Sequence, residues 1–214
     1  MDRAQMLKEG SDTLKTGTTT VGLVCSDGVI LASDRRATMG YFIASKDVTK
    51  IFKIDERIAM TVAGSVADAQ ALVRMLQAET RLYQLRYGKP MTVKNAATLL
   101  ANIMFQYKFF PYYVQLLIGG TEDKPTVFSI DPLGGTTEET YASTGSGSPM
   151  AYGLIENMYK KDGTVKENLP VAAKAISVAM RRDSATGESV DVVTLTKSGF
   201  RRLEKSEVAK LIES

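Results

Sequence analysis

From Thr18 to Cys25 the residues are β-branched or small, Asp27-Gly28 interrupts the run, and Val29-Ile30-Leu31-Ala32 resumes it, a pattern that predicts an opening hairpin. A second strand pair, Ile51–Ile54 and Ile58–Val62, is joined across Asp55-Glu56. The period then changes. Ser65, with Asp68 three residues on, resembles a capping box, and Val66, Ala69, Val73, Leu76 and Tyr83 recur at helical spacing until Gly88-Lys89-Pro90 stops the run. Thr92 can cap a second helix with the apolar stripe Ala96, Leu99, Leu100, Ile103, Met104 and Tyr107. Strand signals return in Val114–Ile118, in Thr126–Ile130 and more weakly around Thr140–Ala142, with Asp131–Gly135 as the turn between the first two. Ser148-Pro149 reads as the N-cap and first residue of a helix, Leu169-Pro170 as the start of another that runs through Arg182, and Val190–Leu195 as a late strand.

The order is strands, helix pair, strands, helix pair, strand. A doubly wound sheet would alternate strand and helix one by one, so grouped elements point to antiparallel sheets with helices layered outside them. Two sheets face to face between helical layers fit the order. No internal repeat, linker or low-complexity segment follows Gly17.

Composition changes this picture little. A chain of 214 residues, 44% hydrophobic and 24% charged, suits one folded domain. The net charge of +3 does not announce nucleic acid, and Arg181-Arg182 and Arg201-Arg202 read as solvated faces. No apolar run approaches the roughly 18 residues of a membrane span. Residues 1–17, punctuated by Asp2, Arg3, Lys8, Glu9, Asp12 and Lys15, lack the apolar centre of a signal peptide. Cys25 is the only cysteine, which agrees with a reducing compartment, and its strand setting favours core packing over chemistry. A cytoplasmic location is expected.

The chain contains no histidine. A Ser-His-Asp triad, a Cys-His dyad and an imidazole base are therefore excluded, and a hydrolase built on this sequence needs another proton acceptor. A threonine freed at a chain terminus carries its own, because an α-amine has a pKa of about 7.7–8.0. No His/Cys/carboxylate cluster has metal-ligand spacing, so no metal and no cofactor is expected. Gly145-Ser146-Gly147-Ser148 matches neither a P-loop nor GxGxxG. The aromatic cluster Tyr107, Phe109, Phe110, Tyr112 and Tyr113 reads as packed inside or at an interface. From spacing alone Asp34 is a solvated strand end, Lys50 a surface residue, and Asp183 an acceptor within the loop that contains Gly187.

Taken together, six segments alter that balance: Gly17-Thr18-Thr19-Thr20-Val21-Gly22, Ser33-Asp34-Arg35-Arg36-Ala37-Thr38, Lys50, Ala63-Gly64-Ser65, Thr144-Gly145-Ser146-Gly147-Ser148 and Arg182-Asp183. In this order they resemble the proteasome β-subunit family, in its archaeal catalytic type, from Thr18 to about the last strand. The resemblance implies an α+β fold, the four-layer αββα sandwich of N-terminal nucleophile hydrolases. It also implies fourteen β and fourteen α subunits in four stacked heptameric rings, fed by a regulatory ATPase and degrading unfolded polypeptide, with neither nucleic acid nor membrane as partner.

By the same resemblance Thr18 is the nucleophile of a threonine endopeptidase, Lys50 favours its alkoxide, and Asp34 keeps the lysine charged and oriented. Gly64 supplies the oxyanion donor, and Ser146 and Asp183 position the amine and its water. The family has Ser three residues after the aspartate, whereas this chain has Thr186. The implied substrate pocket comprises Ala37, Val48, Phe52, Val62, Val66 and Gln70, with the Thr38 and Gly64 backbones pairing an extended chain. None of these positions is charged, which implies apolar residues before the scissile bond. Residues 1–17 are expected to be a propeptide removed by the subunit itself, Gly17 serving by allowing a tight bend, and 18–214 a single domain. Two rival readings are a non-catalytic subunit of the same barrel and an N-terminal nucleophile amidase acting on a small molecule.

Overall fold

The computed structural model describes residues 17–213. The expected propeptide therefore lies, apart from Gly17, outside the described residues. Two five-stranded antiparallel sheets are stacked between two helical layers. The first sheet has the order β10-β1-β2-β11-β12, formed by β1 (Thr20–Cys25), β2 (Gly28–Asp34), β10 (Tyr141–Thr144), β11 (Val190–Thr196) and β12 (Gly199–Arg202). The second runs β5-β6-β7-β8-β9, from β5 (Ile51–Asp55), β6 (Ile58–Gly64), β7 (Val114–Gly120), β8 (Thr126–Ile130) and β9 (Thr136–Glu139). A small hairpin, β3 (Ala37–Met39) with β4 (Phe42–Ser45), stands apart from both.

Strand β2 shows why its sequence reads as a continuous apolar run. Ile30 and Ala32 pack toward helices α3 (Ser148–Met158) and α4 (Val165–Arg182), while the alternate residues Val29 and Leu31 meet Ile51, Ala59 and Val127 of the facing sheet. Both faces are buried, so no polar alternation survives. Outside the second sheet, α1 (Val66–Tyr87) and α2 (Val93–Gln106) insert Leu72, Leu76, Leu100 and Met104 against Met60 and Leu116. The last helix, α5 (Lys205–Glu213), adds Val208 to the opposite layer.

The helix starts follow local capping. Ser65 accepts from the Asp68 N–H and Thr92 from the Asn95 N–H, as the spacing predicts. The expected start at Leu169-Pro170 is corrected: α4 begins at Val165, where Thr164 and Glu167 form a reciprocal capping box, and Pro170 lies inside the helix. A complete capping box outweighs the preference of proline for the first turn. Gly147, not Ser148, caps α3, without a side-chain bond. Tyr107 caps α2 instead of extending its stripe.

The sequence reading also missed β3, β4, β9, β12 and α5. Each is short or, like β9, polar and exposed along most of its length. The aromatic cluster is not buried in the isolated chain either: Phe109 and Phe110 are 82% and 89% exposed.

Register brings several chain segments to one end of the sandwich. Thr20 pairs with Ser33 and Thr144, and Val190 pairs with Asp34. The start of β1, the end of β2, the loop after β10 and the loop before β11 therefore converge. Lys50, immediately before β5, and Gly64, at the end of β6, arrive from the second sheet.

Candidate active site

At this end Thr18 is almost fully buried, and two polar clusters flank it. The first centres on Asp34, which has no exposed surface. Its Oδ1 accepts from Lys50 Nζ at 2.7 Å and from the Thr19 N–H at 3.1 Å. Its Oδ2 accepts from the N–H groups of Arg36 and Gly187, each at 3.0 Å. Four donors saturate the carboxylate, which is how a charge can be tolerated without water. Asp34 and Lys50 are thus neither a solvated strand end nor a surface residue, since Lys50 is only 6% exposed. Burial pushes the Lys50 pKa below the ordinary lysine range, with the Asp34 charge and hydrogen bond opposing that shift.

The second cluster centres on Asp183. Its Oδ2 accepts from the hydroxyls of Ser146 at 2.6 Å and Thr186 at 2.5 Å, and its Oδ1 from the Ala185 N–H at 3.2 Å. Ser146, its proton committed to Asp183, accepts from the Thr18 N–H at 3.2 Å. Thr186 Oγ1 also lies 2.7 Å from Thr19 Oγ1. Each hydroxyl has one proton, so with that of Thr186 given to Asp183, Thr19 is the donor in this contact. Asp183 serves more than its own loop: it ties the Ser146 turn, the Thr186 hydroxyl and, through Ser146, the Thr18 nitrogen. The Thr186 hydroxyl bonds Asp183 and Thr19, not the Thr18 nitrogen.

Thr19 escaped the sequence reading. Its N–H belongs to the Asp34 cluster and its hydroxyl to the Asp183 cluster, so one buried residue joins them. No spacing rule would have singled it out in a run of three threonines.

Gly64 adopts φ +128°, a backbone region that L side chains rarely enter, and a Cβ there would collide with the Tyr113 carbonyl oxygen. That oxygen is held in place by the Ser65 N–H at 2.8 Å. Gly64 lines two adjoining hollows. One, of about 420 Å³, is bordered by Gln115, Pro132, Gly145 and Ser146. The other, of about 330 Å³, is lined by Thr18 and Lys50 together with Ala37, Thr38, Val48, Phe52, Val62 and Val66.

Of the expected pocket residues only Gln70 is absent from this lining; it lies on an exposed part of α1. Met39 and Ala44 line it as well, from the hairpin that the sequence pattern did not disclose. Lys50 is the one charged residue among the lining. The described residues include no group of His, Cys, Asp or Glu side chains suited to a metal ion. None of the described helices is long and apolar enough to cross a membrane.

The arrangement places Thr18 in one cavity with the buried Lys50, with a hydroxyl and carboxylate network at the Thr18 nitrogen. With Gly17 attached, that nitrogen is an amide and has no basic lone pair. Comparison with known proteins covers the part of the chain that carries these groups. The family model described as proteasome subunit matches residues 14–195. The proteasome subunit beta of Methanosarcina barkeri is 53% identical over 203 residues, covering 94% of this chain and 96% of the relative. That of Archaeoglobus profundus is 52% identical over 211 residues, covering 98% of each. The proteasome subunit beta of Methanocaldococcus vulcanius is 52% identical over 204 residues, 94% of this chain and 91% of the relative.

Proposed function

The chain belongs to the proteasome subunit family, and on that premise we propose that it is a catalytic β subunit of the 20S core, a threonine endopeptidase with Thr18 as nucleophile. The observation that carries this reading is the position of Thr18, its nitrogen bonded into the Ser146–Asp183 network while its side chain shares a cavity with Lys50. Once Gly17 is released, the Thr18 amine is the base. It takes the hydroxyl proton, directly or through water, as the oxygen attacks a substrate carbonyl.

Lys50, held by Asp34, stabilises the alkoxide and discourages protonation of the amine. The Gly64 N–H stabilises the oxyanion, and Ser146, Asp183 and Thr186 orient the amine and the water that later splits the ester. Thr38 and Gly64 pair the backbone of an extended substrate. The apolar walls of the 330 Å³ hollow favour an apolar residue before the scissile bond.

In this reading residues 1–17 are removed by the subunit itself, leaving 18–214 as the mature domain. The chain sits in one of two heptameric β rings between heptameric α rings, where an ATPase delivers unfolded polypeptide. The test is peptide turnover by assembled particles. Thr18→Ala should abolish turnover while the barrel still assembles, and Thr18→Ser should retain part of it. Turnover by Thr18→Ala particles near the parent rate would reject the assignment.

A further inference from the structure

Gly17 is held from three directions. Its N–H donates to Thr38 Oγ1 at 2.9 Å, and the Thr18 hydroxyl donates to its carbonyl oxygen at 2.6 Å. On the third side, a Cβ built on Gly17 would overlap the Cβ and Cα of Ala185. Any side chain at position 17 would therefore need room that Ala185 already occupies.

Ala185 cannot easily yield, because its loop is fastened on every side. The Ala185 N–H donates to Asp183 Oδ1, and the Thr186 N–H to the Asp183 carbonyl at 3.2 Å. Ser184 O accepts from Arg36 Nη1 at 2.8 Å, and the Gly187 N–H donates to Asp34 Oδ2 at 3.0 Å. Moving Ala185 outward would pull on both carboxylates that organise the site. A side chain at position 17 would instead push residue 17 off Thr38 and carry its carbonyl away from the Thr18 hydroxyl. Near-attack geometry tolerates little of this, since misplacement by about 1 Å can cost on the order of 100-fold.

We infer that Ala185 is a specificity-determining residue for self-cleavage, its methyl group admitting only glycine before Thr18. The inference rests on the reading of Thr18 as the nucleophile that removes residues 1–17. In that step Thr18 Oγ1 bonds to the Gly17 carbonyl carbon, the Gly17–Thr18 C–N bond breaks, and the hydroxyl proton ends on the Thr18 nitrogen. The resulting ester is split by water into a Gly17 carboxylic acid and the Thr18 hydroxyl. The Thr38 hydroxyl positions Gly17 for this step by accepting its N–H.

The test follows the loss of residues 1–17 by intact mass, in the full chain assembled with its barrel partners. Gly17→Ala should slow the loss at least tenfold. Adding Ala185→Gly to that variant should restore it to within about threefold of the parent. Thr38→Val should slow the loss and Thr38→Ser should rescue it. The inference is overturned if Gly17→Ala chains are processed at the parent rate, or if the double variant is no faster than Gly17→Ala alone. A Thr18→Ala chain that still loses residues 1–17 would reject self-cleavage itself, and the inference with it, whereas loss that requires Thr18 but is unaffected by Gly17→Ala would overturn the inference alone.

Discussion

Lys50 Nζ lies 2.7 Å from Asp34 Oδ1, and neither side chain has appreciable contact with water. Each charge depends on the other. Removing one partner from such a buried pair typically costs about 3–5 kcal/mol, because the remaining charge is left uncompensated. Asp34 also accepts three backbone N–H groups, from the residue before β1, the segment after β2 and the loop before β11, so it is tied into the scaffold more extensively than Lys50.

Lys50→Ala should therefore lower peptide turnover at least 100-fold while particles still assemble. Asp34→Asn should do the same and also lower the unfolding temperature, because an amide cannot accept on both sides from four donors. Turnover and thermal unfolding on the same particles give the check. An Asp34→Asn particle with parental stability would contradict the account of Asp34 as a saturated buried carboxylate.

The lowered Lys50 pKa gives a pH prediction with a definite sign. Burial favours neutral lysine, so the cation is lost as pH rises through a value below the ordinary lysine figure of about 10.4. Turnover that needs this cation should fall on an alkaline limb beginning below that figure. For stability, the penalty for holding Lys50 charged in the fold applies in full below its folded pKa. It is relieved as pH climbs from there toward the unfolded value. A rate that stays flat beyond pH 10.4, with particles intact by mass, would remove Lys50 from the mechanism.

Cys25 is predicted to be inert. It is buried in the first sheet's core, and burial pushes its thiol up to about 12, although the Asn168 side chain partly counters the shift. Four units above pH 8, the thiolate fraction is on the order of one in ten thousand. A thiol-specific reagent at pH 8 should leave native Cys25 unmodified over hours and label it within minutes after unfolding. Prompt stoichiometric labelling of the folded protein would show that the site opens.

Selectivity can be read from the hollow that Thr18 shares with Ala37, Val48, Phe52, Val62 and Val66. Fluorogenic peptides with Leu, Tyr or Phe before the scissile bond should be cut at least tenfold faster, by kcat/KM, than those with Arg or Asp. A substrate charge desolvated there would lack an opposite charge for Arg and would meet only Lys50 for Asp. Faster cleavage after Arg would place the specificity pocket elsewhere.

Much of this architecture was legible in the sequence, for identifiable physical reasons. The strands with both faces buried, such as Val29–Ala32, announce themselves as apolar runs, and Ser65, Thr92 and Gly88 mark helix ends through local hydrogen bonds or backbone conformation. The elements missed are those whose stability comes from their neighbours: β3 and β4 are three and four residues long, and β9 is a polar edge. Missing that hairpin hid Met39 and Ala44 from the cavity. The burial of Asp34 and Lys50 was invisible to spacing, because it arises when two sheets and the Gly187 loop close over them. Thr19 was invisible for another reason. Its role depends on which of two neighbours already holds a proton, and periodicity carries no such information.

That proton order can be tested at Thr186. Its hydroxyl donates to Asp183 at 2.5 Å and accepts from Thr19 at 2.7 Å, so it passes the connection made by Thr19 on to Asp183. Thr186→Val keeps the branched shape but removes both bonds, leaving the buried Thr19 hydroxyl without its acceptor and Asp183 with one donor fewer. An unmet buried polar group costs about 1–3 kcal/mol, so the unfolding temperature should fall. Turnover should drop by roughly 10–100-fold if the Asp183 network orients the Thr18 amine. Thr186→Ser retains the hydroxyl and loses only the methyl group, whose branching restricts the rotamer. It should remain within about threefold of the parent in kcat, with KM unchanged. The measurement is kcat and KM for one apolar peptide across the three proteins, with thermal unfolding alongside. If valine is as active as serine at this position, the hydroxyl relay through Thr186 has no part in turnover, and Asp183 must act on the amine through Ser146 alone.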